Sequence, residues 1–263
     1  MRKITVNDII SKKGKEKIVA LTCYDYQMAK IEDEIGVDII LVGDSVANVL
    51  LGYDNTLRIG MEEMLVFVKA VARGVKKALL VGDMPFLSFQ VSKEEAIKNA
   101  GLFIRAGCDA VKVEGGEESL EVIEFLVKNG IPVMGHIGLT PQWILKMGGY
   151  KIQGKTEESI LKIKKDAKLL EEAGVFSIVL EGMKENLAKE ITESLKIPTI
   201  GIGAGRFCDG QILVVWDVLG YTEEPHPKFV RLYDNLRGRI KGALEKFKED
   251  VLKGNYPSEN EIY

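Results

Sequence analysis

The sequence predicts an α/β fold, a single (β/α)8 TIM barrel domain spanning residues 1–263. Two observations predict it. Short runs rich in Val, Ile and Leu recur along the chain, and a helical pattern follows nearly every one. Those runs are apolar on successive residues rather than alternate ones, as parallel strands covered on both faces must be. The length agrees, because such a barrel commonly takes about 250 residues. No Pro/Ser-rich linker divides the chain.

Taken in order, Val6–Ser11 reads as a short helix closing the barrel floor. The first strand is Lys17–Thr22, followed by a helix at Tyr26–Gly36. The second strand, Asp38–Gly43, leads to a helix at Met61–Gly74, and the third, Ala78–Asp83, to one at Ser92–Gly107. Ser92 with Glu95 has the spacing of a capping box. The fourth strand is Ala110–Glu114 and its helix Glu117–Gly130. After the fifth strand, Ile131–His136, the chain makes a long excursion through LTPQWILKMGG, read as a lid over the barrel mouth, before the helix Thr156–Gly174. The sixth unit is Phe176–Glu181 with Lys184–Leu195. The seventh strand, Pro198–Gly203, is followed by GAGRFCDG, too rich in Gly for a helix. The eighth, Gln211–Trp216, leads to a long terminal helix over Lys228–Lys253, broken near Gly238 or Gly242. Several of the helices end at Gly, which suits a left-handed C-cap.

Composition narrows the function. Thirty-six Lys and Arg oppose 39 Asp and Glu, a net charge of −3, which disfavours nucleic-acid binding by phosphate neutralisation. No run reaches the roughly 18 apolar residues of a membrane span, and the start has no signal-peptide pattern, so no membrane partner and a cytoplasmic location are expected. The three cysteines, Cys23, Cys108 and Cys208, are odd in number and form no CxxC, which argues against a disulfide framework or a thiolate zinc site. Only two histidines occur, His136 and His226. A metal held by this chain must therefore rest mainly on carboxylates.

The strand ends are the informative places. The apolar runs finish at Asp44, Asp83, Glu114, His136 and Glu181, and Lys112 lies two residues before Glu114, on the same side of its strand. Taken singly, an acidic residue after a strand is more often a loop residue or helix N-cap. Five in register are harder to dismiss, because all such ends open on the catalytic face of a barrel. Crowded carboxylates repel, and a divalent cation neutralises them; an oxygen-rich set favours Mg²⁺, Mn²⁺ or Ca²⁺ over zinc. A 2-oxo acid can chelate such a metal through its carboxylate and keto oxygens. Glu181 then suits proton removal beside the ketone, and Lys112 the substrate's negative charge.

Other motifs compete. Gly149–Thr156 matches the phosphate-loop pattern GxxxxGK[ST], but that motif needs a strand running straight into it, and Pro141 and adjacent glycines precede it here. Lys155 and Thr156 are read instead as opening the next helix. GIGAG at Gly201–Gly205 lacks dinucleotide spacing; it serves either close approach to an anionic group or close loop packing. His226 reads as a cap or surface residue and Cys108 as a small buried one. Three functions remain open on the residues alone: proton abstraction from an oxo acid, carbon–carbon cleavage beside one, and a nucleotide switch.

The strings TCYDYQMAK, LVGDSVANVLLGYDNT, DMPF, AVKVEGG, GHIGLTPQ, GGYKIQGKT, IPTIGIGAG and HPKF, in this order and spacing, resemble the ketopantoate hydroxymethyltransferase family over about residues 20 to 230. The resemblance implies a barrel of the phosphoenolpyruvate/pyruvate-binding type. It implies transfer of a hydroxymethyl group from 5,10-methylenetetrahydrofolate to 3-methyl-2-oxobutanoate, giving 2-dehydropantoate for pantothenate synthesis through a Mg²⁺-stabilised enolate. Carried over by position, it assigns one Mg²⁺ per subunit to Asp44, Asp83 and Glu114. Asp44, Ser45, Asp83 and Lys112 match substrate-binding positions, Glu181 the proton acceptor, and His136 an active-site histidine. It further implies a homo-oligomer, decameric in many relatives, and GGYKIQGKT is a family segment without a nucleotide role. Cys23 stands where Ala is more frequent and Phe67 where many relatives carry His, both away from the proposed metal site.

Overall fold

Residues 2–263 are described by a computed structural model. Eight strands form a closed parallel barrel in sequence order: β1 Ile18–Thr22, β2 Ile39–Val42, β3 Leu79–Asp83, β4 Ala110–Glu114, β5 Val133–Gly138, β6 Ser177–Glu181, β7 Thr199–Ile202 and β8 Gly210–Leu213. Closure is made by β1 against β8, with Ile18 opposite Gly210 and Leu21 opposite Leu213. The expected (β/α)8 class is therefore observed. The floor is closed as expected by α1, Val6–Ser11, whose Ile9 is fully buried among the barrel's inward side chains.

The helices on the outside are α2 Tyr26–Ile35, the short α3 Val46–Val49, α4 Met61–Gly74, α5 Lys93–Ala106, α6 Leu120–Lys128, the short α7 Ile144–Met147, α8 Glu157–Glu172 and α9 Glu185–Ser194. Their ends are set by side chains already legible in the sequence. Asp25 caps α2 by accepting from the amides of Gln27 and Met28, and Gly36 closes it at φ 83°. Ser92 caps α5 by accepting from the Glu95 amide at 3.1 Å, one half of the expected capping box, and Gly107 ends it at φ 115°. Thr156 caps α8, so the Gly149–Thr156 segment follows α7 and a loop, with no strand leading into it. No helix lies between β7 and β8. Gly74 is required where α4 crosses α2, since a Cβ there would stand 2.7 Å from that of Ala29.

Most boundaries shift by a residue or more from expectation, and three of the shifts have a plain physical reason or consequence. β5 starts at Val133, not Ile131, because Pro132 has no N–H to donate to the ladder. β8 is Gly210–Leu213, and Trp216 falls in a short helix, α10 Val215–Val218. The terminal helix α11 is Leu236–Leu252, beginning where Asn235 accepts from the Gly238 amide, and it runs unbroken through both Gly238 and Gly242. Each glycine costs about 1 kcal/mol of helix propensity, too little to break so long a helix.

The chain divides into two compact units, Met1–Val214 and Val215–Tyr263, where the sequence suggested one. The division follows from closure: β8 completes the sheet, and no strand remains for the rest of the chain to pair. The first unit holds the whole barrel. In the second, α11 buries none of its residues, and the rings of Trp216 and Tyr221 pack at 5.0 Å. Among the described residues no helix is long and apolar enough to cross a membrane.

The barrel core explains the position of the site. Inward side chains recur every second residue along each strand: Ile18 and Ala20, Ile39 and Leu41, Leu79 and Val81, Ala110, Met134, Val179, Ile200 and Ile212. Each buried aliphatic side chain contributes about 1.5–3 kcal/mol. Continuing the same rows toward the C-terminal ends replaces hydrocarbon with charge. Asp83 follows Val81, Lys112 and Glu114 follow Ala110, His136 follows Met134, and Glu181 follows Val179.

Candidate active site

Strand register sets which of these groups are neighbours. Asp83 pairs with Lys112 across β3 and β4, and Glu114 with His136 across β4 and β5. Gly138 pairs with Glu181 across β5 and β6. Lys112 Nζ stands 2.8 Å from Asp83 Oδ1, 3.6 Å from Glu114 Oε1 and 3.3 Å from His136 Nδ1. The imidazole sits between two carboxylates, with Nδ1 3.2 Å from Glu114 Oε1 and Nε2 3.2 Å from Glu181 Oε2. Asp44, just beyond β2, donates its backbone N–H to Asp83 Oδ2 at 3.0 Å. Asp44, Asp83, Lys112, Glu114 and His136 are all buried, while Glu181 keeps 17% of its side chain exposed at the mouth.

Ser45 is half-buried beside Asp44, and its Oγ shares a hydrogen bond of 2.8 Å with Tyr24 OH. All seven residues singled out from the sequence thus lie on the C-terminal face, six of them in one connected cluster. Ser45 joins through its neighbour Asp44 and through Tyr24.

The electrostatics show a surplus of negative charge. Burial, together with Asp83 and Glu114, holds the Asp44 carboxyl well above its ordinary range. Burial and Glu114 likewise raise Asp83 against the pull of Lys112. Glu114 is lowered despite burial, because Lys112 and His136 both face it. For Lys112, burial opposes the charge but the summed carboxylates prevail, and the ammonium is stabilised. His136 is pushed down by burial and by Lys112, which can donate only to the neutral ring; the carboxylates at both nitrogens outweigh them and raise it to about 9.

Gly138 is fixed by this geometry. Its φ is 97°, and a Cβ there would lie 2.3 Å from the Glu181 carbonyl oxygen. Only glycine lets the end of β5 pass so close to the residue bearing the Glu181 carboxylate.

Three further residues reach the site without having been singled out. Gln142, in a 3₁₀ turn Pro141–Trp143 of the loop after β5, donates from its side-chain nitrogen to Asp44 Oδ2 at 3.0 Å and to the Met84 carbonyl at 2.9 Å. Its backbone N–H donates to Glu114 Oε2 at 3.0 Å. Tyr24 carries Ser45. Tyr150, on the same excursion as Gln142, lies close enough to Asp44, Glu181 and Glu114 that burial and their charges raise its phenol. The LTPQ string marked the segment, but no periodicity marks which loop residue turns inward.

The carboxylates fit a hard divalent cation by their chemistry. Asp44 Oδ2, Asp83 Oδ2 and Glu114 Oε2 each accept an amide N–H, while the buried Asp83 Oδ1 and Glu114 Oε1 face only the cationic groups Lys112 and His136. One oxygen held by an amide and the other left for a cation is the arrangement of metal-ligating carboxylates. Among the described residues no three such side chains converge at ligand spacing, and the Lys112 ammonium stands between Asp83 and Glu114 as the cationic charge.

Comparison with known proteins agrees with the sequence and the fold. Residues 3–259 match the family model described as ketopantoate hydroxymethyltransferase. A 3-methyl-2-oxobutanoate hydroxymethyltransferase of Kosmotoga olearia is 52% identical over 260 residues, covering 99% of this chain and 97% of its own. That of Pyrococcus abyssi is 54% identical over 257 residues, covering 98% and 91%. Among solved structures, a phosphonopyruvate hydrolase in complex with oxalate and Mg²⁺ superposes with a TM-score of 0.64 at 14% identity, over 98% of this chain and 94% of the other. A 2,3-dimethylmalate lyase of the PEP mutase/isocitrate lyase superfamily gives 0.64 at 16% identity, over 98% and 91%. At such identities these two establish the barrel type alone.

Proposed function

The chain belongs to the ketopantoate hydroxymethyltransferase family, and from that premise we propose that it moves a hydroxymethyl group from 5,10-methylenetetrahydrofolate to 3-methyl-2-oxobutanoate, giving 2-dehydropantoate. The observation that carries this reading is the chain of contacts from Lys112 through Glu114 and His136 to Glu181, which joins a buried charged floor to one carboxylate at the mouth.

Asp44, Asp83 and Glu114 would hold Mg²⁺, which when bound supplies Lewis acidity to the carboxylate and keto oxygens of the oxo acid. Glu181 is the base: it stands at the rim of the buried cluster, where a substrate seated over Asp44 and Lys112 presents its C3–H. Its carboxylate takes that proton; one water opens the donor's methylene bridge so that both C–N bonds break and tetrahydrofolate leaves, and C3 bonds to the released one-carbon unit, whose oxygen, from the water, becomes the product's hydroxyl. Lys112 balances the substrate's carboxylate. His136, held charged between Glu114 and Glu181, orients the base. Ser45, fixed by Tyr24, offers a hydroxyl to the substrate's carboxylate. The excursion after β5 borders the mouth through Gln142 and limits bulk water there to the one molecule the transfer consumes.

The test is turnover of 3-methyl-2-oxobutanoate with and without methylenetetrahydrofolate, and with and without Mg²⁺. Product formation that needs both is expected. Consumption of an oxo acid without the folate overturns the transfer reaction in favour of carbon–carbon cleavage.

A further inference from the structure

Gln142 is the one residue of the mouth-covering excursion that is bonded to two of the proposed metal carboxylates. It is buried, and its donors are fully used: both side-chain N–H groups go to Asp44 and the Met84 carbonyl, and the backbone N–H goes to Glu114. These three acceptors come from the ends of three different strands, β2, β3 and β4, whereas Gln142 itself follows β5. Each donation also selects an oxygen. By holding Asp44 Oδ2 and Glu114 Oε2, it fixes one oxygen of each carboxylate, and the other Glu114 oxygen, Oε1, faces His136 Nδ1 at 3.2 Å and Lys112 Nζ at 3.6 Å in the shared interior.

The far end of the excursion is anchored as well. Gln153 donates its backbone N–H to the Gly182 carbonyl at 2.7 Å and forms a bridge with Met183, immediately after Glu181. Between the anchors lie exposed apolar side chains, Leu145, Tyr150 and Ile152. The near end of this stretch is thus tied to the carboxylates of the cluster and the far end to the backbone just after Glu181, and the first tie is made to groups whose charge balance changes when a cation arrives.

We propose that Gln142 is a positioning residue that couples metal affinity to the order of the loop over residues 139–156. With Gln142 docked, Asp44 and Glu114 are preset for a cation; with a cation bound, the carboxylates are held where Gln142 docks. Each event stabilises the other by the same factor, as linkage requires. The inference rests on the metal reading of the site given above. Gln142 acts through Asp44 and Glu114 and touches no reacting atom.

The test compares wild type, Gln142→Met and Gln142→Asn, with Mn²⁺ alone as the probe. Met keeps the length and loses the side-chain donors to Asp44 and the Met84 carbonyl, Asn keeps the amide but is one methylene too short to reach both, and each retains the backbone N–H that Glu114 accepts. Folding is checked first by circular dichroism and thermal melting. Mn²⁺ affinity by electron paramagnetic resonance is expected to fall about tenfold or more in both variants, the loss usual for a group that orients a metal ligand. In wild type, Mn²⁺ should slow hydrogen exchange of the amides of residues 139–156, and this protection should be lost in the variants. Saturating Mg²⁺ should restore kcat toward wild type, because the chemistry itself is intact. Wild-type Mn²⁺ affinity and loop protection in the folded variants overturn the coupling and leave the proposed reaction standing. Absence of Mn²⁺ binding by wild type overturns both.

Discussion

Glu32 sets a pH dependence of stability that can be worked from its surroundings. It lies on α2 with 1% of its surface exposed, and neither carboxyl oxygen has a hydrogen-bond partner. Burial first, and the charge of Asp25 second, raise its pKa from 4.5 to about 8. The folded state therefore keeps a proton that the unfolded chain gives up. The contribution is fully present below about pH 4.5 and is lost as pH rises toward 8, at roughly 1.4 kcal/mol per pH unit within that window. Over the window the loss is on the order of 4 kcal/mol. Glu32→Gln keeps the shape and removes the titration. Denaturant unfolding of both proteins at pH 5, 6.5 and 8 measures it, and the variant should gain on wild type by several kcal/mol between the first and the last. Parallel stability curves across that range would refute the reasoning, and would mean that α2 opens to hydrate the carboxylate.

Two other substitutions test the site's electrostatics and packing. Lys112→Met removes the ammonium facing Asp83 and Glu114, and breaking so buried a pair should cost about 3–5 kcal/mol in denaturant unfolding without added metal. The loss should be smaller at pH 5 than at pH 8, because the raised Asp44 and Asp83 carboxyls then take up protons. Gly138→Ala places a methyl group against the Glu181 carbonyl at a φ of 97°. It should cost about 1–3 kcal/mol in stability and, by displacing the proposed base, at least about tenfold in kcat, read from melting and steady-state turnover.

The barrel was legible because its signals are local. Apolar runs gave the strands, and Asp25, Ser92 and Thr156 marked helix starts through hydrogen bonds to amides two or three residues on. The cluster was legible for a related reason: a period of two carries Asp83, Lys112, Glu114, His136 and Glu181 inward once the strand beneath each is apolar. Gln142 was not, since its three bonds depend on the path of a loop across β2, β3 and β4 and leave no periodic trace. Glu32 and Asp33 were hidden differently. In sequence they look like solvent charges on an amphipathic helix, yet both are buried, Asp33 accepting from the amides of Lys77 and Ala78. Periodicity carries the terminal helix back to Lys228, whereas it starts at Leu236, because a repeat of apolar residues does not register the cap that Asn235 makes.

The central claim is that Glu181 removes a proton from the oxo acid. Exchange of the C3 proton of 3-methyl-2-oxobutanoate in D₂O, followed by proton magnetic resonance with Mg²⁺ and no folate, measures that step apart from transfer. Wild type should exchange it, and Glu181→Gln should lose exchange by two orders of magnitude or more, on the scale of about 10²–10⁴ for a general base, while Mn²⁺ and oxo-acid binding persist. Undiminished exchange in Glu181→Gln would contradict the account and move the base elsewhere in the mouth.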